Sequence, residues 1–192
     1  MTNCMDRVTR NRTRIRYSIA VTMLSVSAGC AGLPAFHDEV RHVLDERTGV
    51  TIARLEQPLE LTVSASTGPA NDPFAYLGPF QTTRMGERAD YLWLAVPAAG
   101  TLAGSPIVRA DGEVVRMGEM SAAPDAAHLE RSPYKAPTPW SQQFVAVVES
   151  AAIEQLATAR RIEIATRDAA GDWTFALQGD ALSALRRYAD GR

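Results

Sequence analysis

The sequence contains few of the residues on which small extracellular scaffolds and many enzymes depend. Its 192 residues include two cysteines, three histidines and one lysine, Lys135. Two cysteines are too few for a disulfide scaffold. No apolar run approaches the roughly 20 residues that a membrane-spanning helix needs. With 46% hydrophobic and 22% charged residues, the composition is that of an ordinary globular domain with added segments.

Charge is distributed unevenly along the chain. The formal net charge is −2, but residues 1–29 carry five arginines and one acid. Residues 30–192 therefore carry 15 basic and 21 acidic residues, a net charge of −6. A nucleic-acid-binding domain needs a basic surface, and anionic lipid headgroups repel an acidic body. We expect no nucleic-acid partner and no attachment to a membrane by charge alone.

The N-terminal segment has the layout of a secretory signal peptide. An arginine-rich stretch (7–16) precedes a short apolar stretch (17–28), and small residues follow. The sequence Ser27-Ala28-Gly29-Cys30 resembles the lipobox of bacterial lipoproteins, in which Leu is usual at the position of Ser27. The resemblance implies cleavage before Cys30 and lipidation of its sulfur. It implies nothing about the activity of the remaining chain.

Lipidation of Cys30 would attach the protein to a membrane, because several acyl chains together form a stable anchor. The resemblance further implies the periplasmic face of the outer membrane, since Ala31 replaces the Asp that favours retention in the inner membrane. Cys4 would be removed with the signal, so the mature body has no thiol for a disulfide, a metal or catalysis. The alternative is an ordinary secreted protein in which Cys30 is incidental.

These features divide the chain into three parts. We expect a lipoprotein-type signal peptide at residues 1–29, a tether at 30–36 and a single globular domain at 37–192. A body of about 160 residues can bury roughly 68–70% of its unfolded surface, which is enough to fold without disulfides.

Hydrophobic periodicity predicts an α+β fold. Short hairpins, with too few helices for parallel crossovers, favour a mainly antiparallel sheet, in one sheet or two, with a few short helices packed on it. The predicted strands and hairpin cover residues 50–55, 59–64, 75–83, 91–96, 107–115 (turning at Asp111-Gly112), 144–148, 161–166 and 173–177. The predicted helices cover residues 37–47, residues 150–159 with Ser150 as cap, and a C-terminal segment with Asp180 as cap.

The histidines and the Ser-x-x-Lys sequence are the nearest approach to a catalytic or metal-binding motif. His37 and His42 are five positions apart, so they do not share a helix face, and no third ligand is evident. Ser132 and Lys135 have the spacing of β-lactamase-type enzymes, but the prolines that follow would interrupt the helix that such a site requires.

Two carboxylate pairs, Glu87 with Asp90 and Asp168 with Asp172, could act as acid and base if folding brought them together. Acidic residues line the surface of every globular domain, however, and Asp168 and Asp172 flank a sequence typical of a turn. We therefore predict no catalytic residue, no metal and no cofactor, and we do not expect an enzyme.

The proline-rich segment 132–140 is the candidate partner-binding loop. Tyr134, Lys135 and Trp140 lie among its prolines, and a stiff exposed loop with aromatic residues binds a partner at low entropic cost. The alternative is that Tyr134 and Trp140 hold the loop against the sheet.

Taken together, these observations predict a non-catalytic lipoprotein that binds an envelope protein or has a structural role in the envelope. One alternative is a hydrolase acting on envelope material, with an active site assembled from dispersed residues. That alternative requires a deep polar pocket with at least two convergent titratable groups. Another is a carrier of an apolar ligand, which requires a cavity between sheet and helices.

Overall fold

The structure, a computed structural model, describes residues 40–68, 74–98, 100–122, 127, 129–139, 141–177 and 179–192. The predicted signal peptide and tether, together with Cys30, His37, His128 and Trp140, lie outside these residues. All the described residues belong to one compact unit of the chain. None of their helices is long and apolar enough to cross a membrane.

The described chain forms mostly strands, and its two α-helices lie in the C-terminal third. The strands are β1 (Val40–Asp45), β2 (Val50–Leu55), β3 (Leu59–Ser66), β4 (Phe74–Arg84), β5 (Glu87–Pro97), β6 (Ile107–Ala110), β7 (Glu113–Val114), β8 (Ser121–Ala122), β9 (Ser141–Val148), β10 (Ile162–Asp168) and β11 (Gly171–Leu177). The helices are α1 (Ser150–Thr158) and α2 (Ala181–Gly191).

These strands form one curled antiparallel sheet. Its main path runs β7-β6-β10-β11-β3-β4-β5-β9-β8, and β1 and β2 form a branch that joins β4. The prediction of a mainly antiparallel sheet with few helices is therefore confirmed, and the described strands belong to one sheet rather than two.

The branch exists because the long strand β4 changes partner along one edge. Its first part pairs with β3 as far as Leu77, and its second part pairs with β2 from Phe80 onward. Strand β5 pairs along the opposite edge. Gly78 and Pro79 lie at the change of partner, and proline lacks the N–H that a ladder requires. The ladder is therefore interrupted at these two residues.

Strand β5 is buried on both faces, as its continuous apolar sequence predicts. On one face Trp93 is fully buried, and Tyr91 stacks on Phe80 with ring centroids 5.0 Å apart. On the other face lie Leu92 and Asp90. Asp90 bonds residues at the start of α1 and just after α2, so the two helices cover this second face.

The predicted helix at residues 37–47 is wrong over its described part, because residues 40–45 form β1. This strand pairs with β2 along its whole length. Val43 and Leu44, which helical spacing assigned to a buried face, are 41% and 59% exposed. Valine is a weak helix former that suits an edge strand, and the ladder with β2 supplies the backbone hydrogen bonds.

The predicted Asp111-Gly112 turn is confirmed, since these residues have φ values of 49° and 88° and a type I′ turn requires both to be positive. The last two helices are also confirmed. The cap predicted at Ser150 is wrong, because Glu149 occupies the N-cap position of α1, whereas Asp180 does occupy the N-cap position of α2. Ser150 is the first residue of α1, and its hydroxyl donates to Asp90. Asp180 precedes α2 without a capping bond from its side chain.

Candidate functional site

Tyr134 attaches the segment between β8 and β9 to the sheet. Its side chain is 2% exposed, and its hydroxyl donates to the carbonyl of Pro79 and accepts from the N–H of Leu55, 3.1 Å away. Leu55 ends β2, and Pro79 lies where β4 changes partner. The hydroxyl therefore satisfies two buried backbone groups at the interruption of the ladder. Burial raises the pKa of this phenol.

Gly78 makes room for the Tyr134 ring. A β-carbon at residue 78 would lie 2.3 Å from Cε2 of Tyr134. Trp93, the cross-strand neighbour of Gly78, contacts the ring with a centroid distance of 5.3 Å. The guanidinium of Arg54 lies 5.3 Å from the ring centroid, within the range of a cation–π contact. The ring is thus enclosed by groups from three strands.

Tyr134 and Lys135, the two described residues of the predicted partner-binding loop, have different environments. Tyr134 is interior, which matches the alternative that it holds the loop on the sheet, and its side chain does not face a partner. Lys135 is exposed, as are Pro137 and Pro139. Trp140 lies outside the described residues. The exposed surface of this loop therefore begins at Lys135, directly after the residue that fixes it.

Ser132 belongs to the hydrogen bonds that hold the same loop. Its hydroxyl donates to Oε1 of Gln143 at 3.1 Å, and the same oxygen accepts from the indole nitrogen of Trp93 at 3.2 Å. Ser132 and Lys135 do not lie on a helix, so the Ser-x-x-Lys spacing does not bring them into a catalytic arrangement.

A polar cleft lies on the helix-covered face, between the β4–β5 hairpin and the ends of α1 and α2. It is open to solvent and has a volume of about 680 Å³. Within it, Nη1 of Arg192 lies 2.7 Å from Oδ2 of Asp90, and the two side chains are 10% and 4% exposed. Oδ2 also accepts from the Ser150 hydroxyl at 2.7 Å, and Oδ1 accepts from the amide of Gln81 at 2.9 Å. Charged side chains of both signs complete the lining: Arg88, Glu149 and Glu154.

Near this cleft, the hydroxyl of Tyr188 is buried and has no hydrogen-bond partner among the described residues. Burial raises the pKa of this phenol, and the negative charge of Asp90 raises it further, while Arg192 acts in the opposite direction. Asp90 already accepts bonds from three donors. The arrangement holds a buried ion pair, and further polar and charged side chains line the open cleft around it.

The other carboxylate pairs have structural roles. Asp168 accepts hydrogen bonds from two backbone N–H groups of the β10–β11 turn and from the indole nitrogen of Trp173. Asp172 pairs with Arg167, whose hydrogen bond lowers the pKa of this carboxyl. The turn-forming role predicted for Asp168 is confirmed, whereas the side chain of Asp172 pairs across the hairpin with Arg167. Glu87 is exposed at the start of β5, whereas Asp90 is buried and bonds Gln81, Ser150 and Arg192 in the cleft.

The described part of the chain contains no group of three or more His, Cys, Asp or Glu side chains arranged to hold a metal ion. His42 lies on the edge strand β1 and is exposed.

Comparison with known proteins identifies no relative from which a function could be transferred. The sequence matches no protein-family model, no curated protein and no solved structure. The functional assignment therefore depends on the N-terminal sequence and on the sites described above.

Sequence reasoning missed the polar cleft because its members come from distant parts of the chain. Asp90 is 60 positions from Ser150 and 102 positions from Arg192. One local signal was present: Asp90 directly precedes the apolar run of β5, where a buried acid requires partners. Nothing local identified those partners.

Proposed function

We propose that the protein is a bacterial lipoprotein, anchored through lipid on Cys30 at the periplasmic face of the outer membrane. The observation that carries this proposal is the order of an arginine-rich stretch, a short apolar stretch and Ser27-Ala28-Gly29-Cys30. Ala31 supports the outer rather than the inner membrane. Strand β1 begins ten positions after Cys30, so the α+β body that we propose lies close to its anchor along the chain.

The body acts by binding an envelope protein rather than by catalysis. In support, the loop at 132–140 is fixed on the sheet by Tyr134 and contains exposed prolines, so ordering it on binding costs little conformational entropy. Lys135 is its exposed charged contact, and Trp140 is its predicted aromatic contact. Tyr134 has the positioning role.

Fatty-acid labelling and membrane fractionation test the anchor. Cys30→Ser is expected to lose both the label and the association with the outer membrane, because its hydroxyl cannot form the thioether. Cys4→Ser is the matched control and is expected to behave as the wild type, since Cys4 is removed with the signal. If Cys30→Ser fractionates like the wild type and neither protein is labelled, the anchor is contradicted.

Amine-directed crosslinking tests the loop. Lys135 is the only lysine of the chain, so a product that forms at Lys135 and not at the N-terminal amine reports on this loop. A crosslinked product is expected for the wild type. It should be absent in Lys135→Arg, which keeps the charge and removes the reactive amine, and reduced in Trp140→Ala. If the wild type gives no product under any envelope stress, partner binding through this loop is contradicted.

A hydrolase acting on envelope material is the second candidate function, and the polar cleft favours it. The Ser150 hydroxyl, the Asp90 carboxylate and the Arg192 guanidinium converge there, which meets the requirement for two convergent titratable groups in a cleft that is open rather than deep. The measurement is release of products from peptidoglycan or phospholipid by the purified protein. Loss of release in Ser150→Ala would support the hydrolase, and no release by the wild type would contradict it.

A further inference from the structure

A single exposed methionine occupies the turn of the β4–β5 hairpin. Met85 is 98% exposed and has φ of 51°, and Gly86 follows with φ of 87°. Two consecutive positive φ values are those of a type I′ turn, in which Asn, Asp or Gly is preferred. Methionine at this position combines an unfavourable backbone conformation with full exposure of a large apolar side chain.

The β6–β7 hairpin has the same turn geometry, and its Asp111 occupies the position that Met85 occupies in the β4–β5 turn. Asp111 has a structural role there. Asp111, with φ of 49°, begins the turn between β6 and β7. Its carboxylate accepts hydrogen bonds from the backbone N–H groups of Arg160 and Arg161 and so ties the hairpin to the start of β10. Met85 has no comparable contact within the described residues, because its side chain is wholly exposed.

Met85 lies at the same end of the sheet as another exposed apolar side chain, Leu44. Leu44 pairs with Thr51, and Thr51 pairs with Thr83, two residues before Met85. From the usual strand spacing and rise, the Cα atoms of Leu44 and Met85 are about 12 Å apart. Leu44 is 59% exposed. Two apolar side chains thus extend from one end of the β1-β2-β4 row.

We propose that the tip of the β4–β5 hairpin is a membrane-contact site, in which Met85 inserts into the surface of the phospholipid bilayer that holds the lipid on Cys30. This inference rests on the proposed function. Ten residue steps separate Cys30 from Val40 and span at most about 35 Å. Val40 lies level with Pro79, and β4 advances about 20 Å from there to Met85. One membrane plane can therefore accommodate both the anchor and the hairpin tip.

The groups around Met85 suit a bilayer surface. Arg84 and Glu87 flank the turn as its first cross-strand pair, and Arg88 follows at the rim of the polar cleft; all three side chains are exposed. Arginine can extend along apolar surface and place its guanidinium at the level of the lipid phosphates, while a neighbouring apolar side chain enters the acyl boundary. The net charge of −6 over residues 30–192 gives no long-range attraction, so the contact is apolar and local.

The contact orients an anchored body and does not recruit an unanchored one. Insertion of one methionine is a weak interaction, and it becomes populated when the anchor supplies a high effective concentration of membrane. A single exposed methionine therefore suffices in the anchored protein, whereas an unanchored protein would need a broad apolar surface.

A fluorophore at residue 85 tests this proposal. The mature chain is expected to have no free thiol, so Met85→Cys provides one site for an environment-sensitive dye. The full lipidated protein is reconstituted in vesicles of phosphatidylethanolamine and phosphatidylglycerol. A blue shift, a several-fold rise in emission and quenching by headgroup-labelled lipids are expected. Val114→Cys is the control, since Val114 is 57% exposed in the β6–β7 hairpin and should show none of these changes.

Each other outcome overturns the membrane contact in a distinguishable way. If the protein remains with the vesicles and the dyes at residues 85 and 114 report the same aqueous environment, the contact is wrong and the anchor stands. If the dye at 85 shifts in native envelopes and not in pure lipid vesicles, the hairpin binds a protein instead of the bilayer. If the wild type does not associate with vesicles at all, both the anchor and the contact are wrong.

Discussion

Gly78 lies so close beneath the ring of Tyr134 that any β-carbon at residue 78 would overlap with the ring. The ring cannot easily tilt away, because its hydroxyl bonds both Leu55 and Pro79. This relationship connects the fold to the proposed function. The loop that presents Lys135 is held on the sheet at the point where β4 changes partner, by a residue that also completes the backbone hydrogen bonding there.

Gly78→Ala is expected to destabilise the protein by about 2 kcal/mol, because overpacking a buried contact costs roughly 1–3 kcal/mol. Gly100→Ala is the control, since nothing lies within 4 Å of a β-carbon at that position. That control should change the free energy of unfolding by less than about 0.5 kcal/mol. Urea denaturation measures both. Equal midpoints for the two variants would contradict the close approach of Gly78 and Tyr134.

Tyr134→Phe and Tyr188→Phe are expected to have different effects although both residues are buried. Removing the Tyr134 hydroxyl leaves a buried N–H and a buried carbonyl without their partner, which costs about 1–3 kcal/mol. The Tyr188 hydroxyl has no hydrogen bond within the described part of the chain, so its removal is expected to be neutral or stabilising. Thermal unfolding of the two variants decides this. Unchanged stability of Tyr134→Phe would contradict the bonds described for Tyr134, and a loss of more than about 1 kcal/mol in Tyr188→Phe would contradict its unpaired hydroxyl.

Asp90→Asn is expected to destabilise the protein by about 3 kcal/mol, because it leaves the guanidinium of Arg192 without its buried counter-charge. Arg47→Gln is the comparison. It removes an ion pair with Glu130 whose side chains are 74% and 35% exposed, and such pairs contribute at most about 1 kcal/mol. Chemical denaturation at neutral pH and moderate salt measures both. Similar losses would mean that the Asp90–Arg192 pair is hydrated in solution.

Asp45 is expected to contribute to stability above pH 4 and to lose this contribution in acid. The backbone N–H of Glu130, followed by those of Thr48 and Arg47, lowers the pKa of Asp45 in the folded state. A lowered folded-state pKa stabilises the protein above the unfolded value of about 3.9, and the effect disappears as the pH falls through the folded value. Urea midpoints from pH 7 to about pH 2 should therefore fall more steeply for the wild type than for Asp45→Asn. Parallel curves would contradict the prediction.

The elements that the sequence predicted correctly are those whose pattern is local. Three patterns lie entirely within the element that they predict, and the structure contains all three elements. They are the alternation over residues 59–64, the apolar run of β5 and the Asp111-Gly112 turn. The predicted helix at 37–47 was wrong over its described part, although Val40, Val43 and Leu44 have helical spacing. The segment forms a strand because β2 provides backbone hydrogen-bond partners, which no local sequence pattern reveals.

The sites were harder to predict than the strands. Proline spacing identified the loop around Tyr134, but the role of Tyr134 depends on Gly78, 56 positions earlier, and on the interrupted ladder of β4. The polar cleft depends on Asp90 meeting two residues from the ends of different helices. Such long-range contacts depend on the order of the strands in the sheet, which cannot be predicted from the sequence of a single chain.

Met85→Asn is expected to stabilise the folded protein by about 0.5–1 kcal/mol, because Asn tolerates the positive φ that a type I′ turn imposes at this position. Met85→Val, whose branched side chain fits that conformation poorly, should destabilise it. Denaturation of both variants in detergent or without membrane tests only the effect of the backbone conformation on stability.

In vesicles, the anchored Met85→Asn protein should be more stable than the wild type and yet lose the preferred orientation of its body. Polarised infrared spectroscopy or neutron reflectivity measures that orientation. If Met85→Asn has no effect on stability, the turn accepts methionine without strain, which contradicts the unfavourable backbone conformation described for Met85.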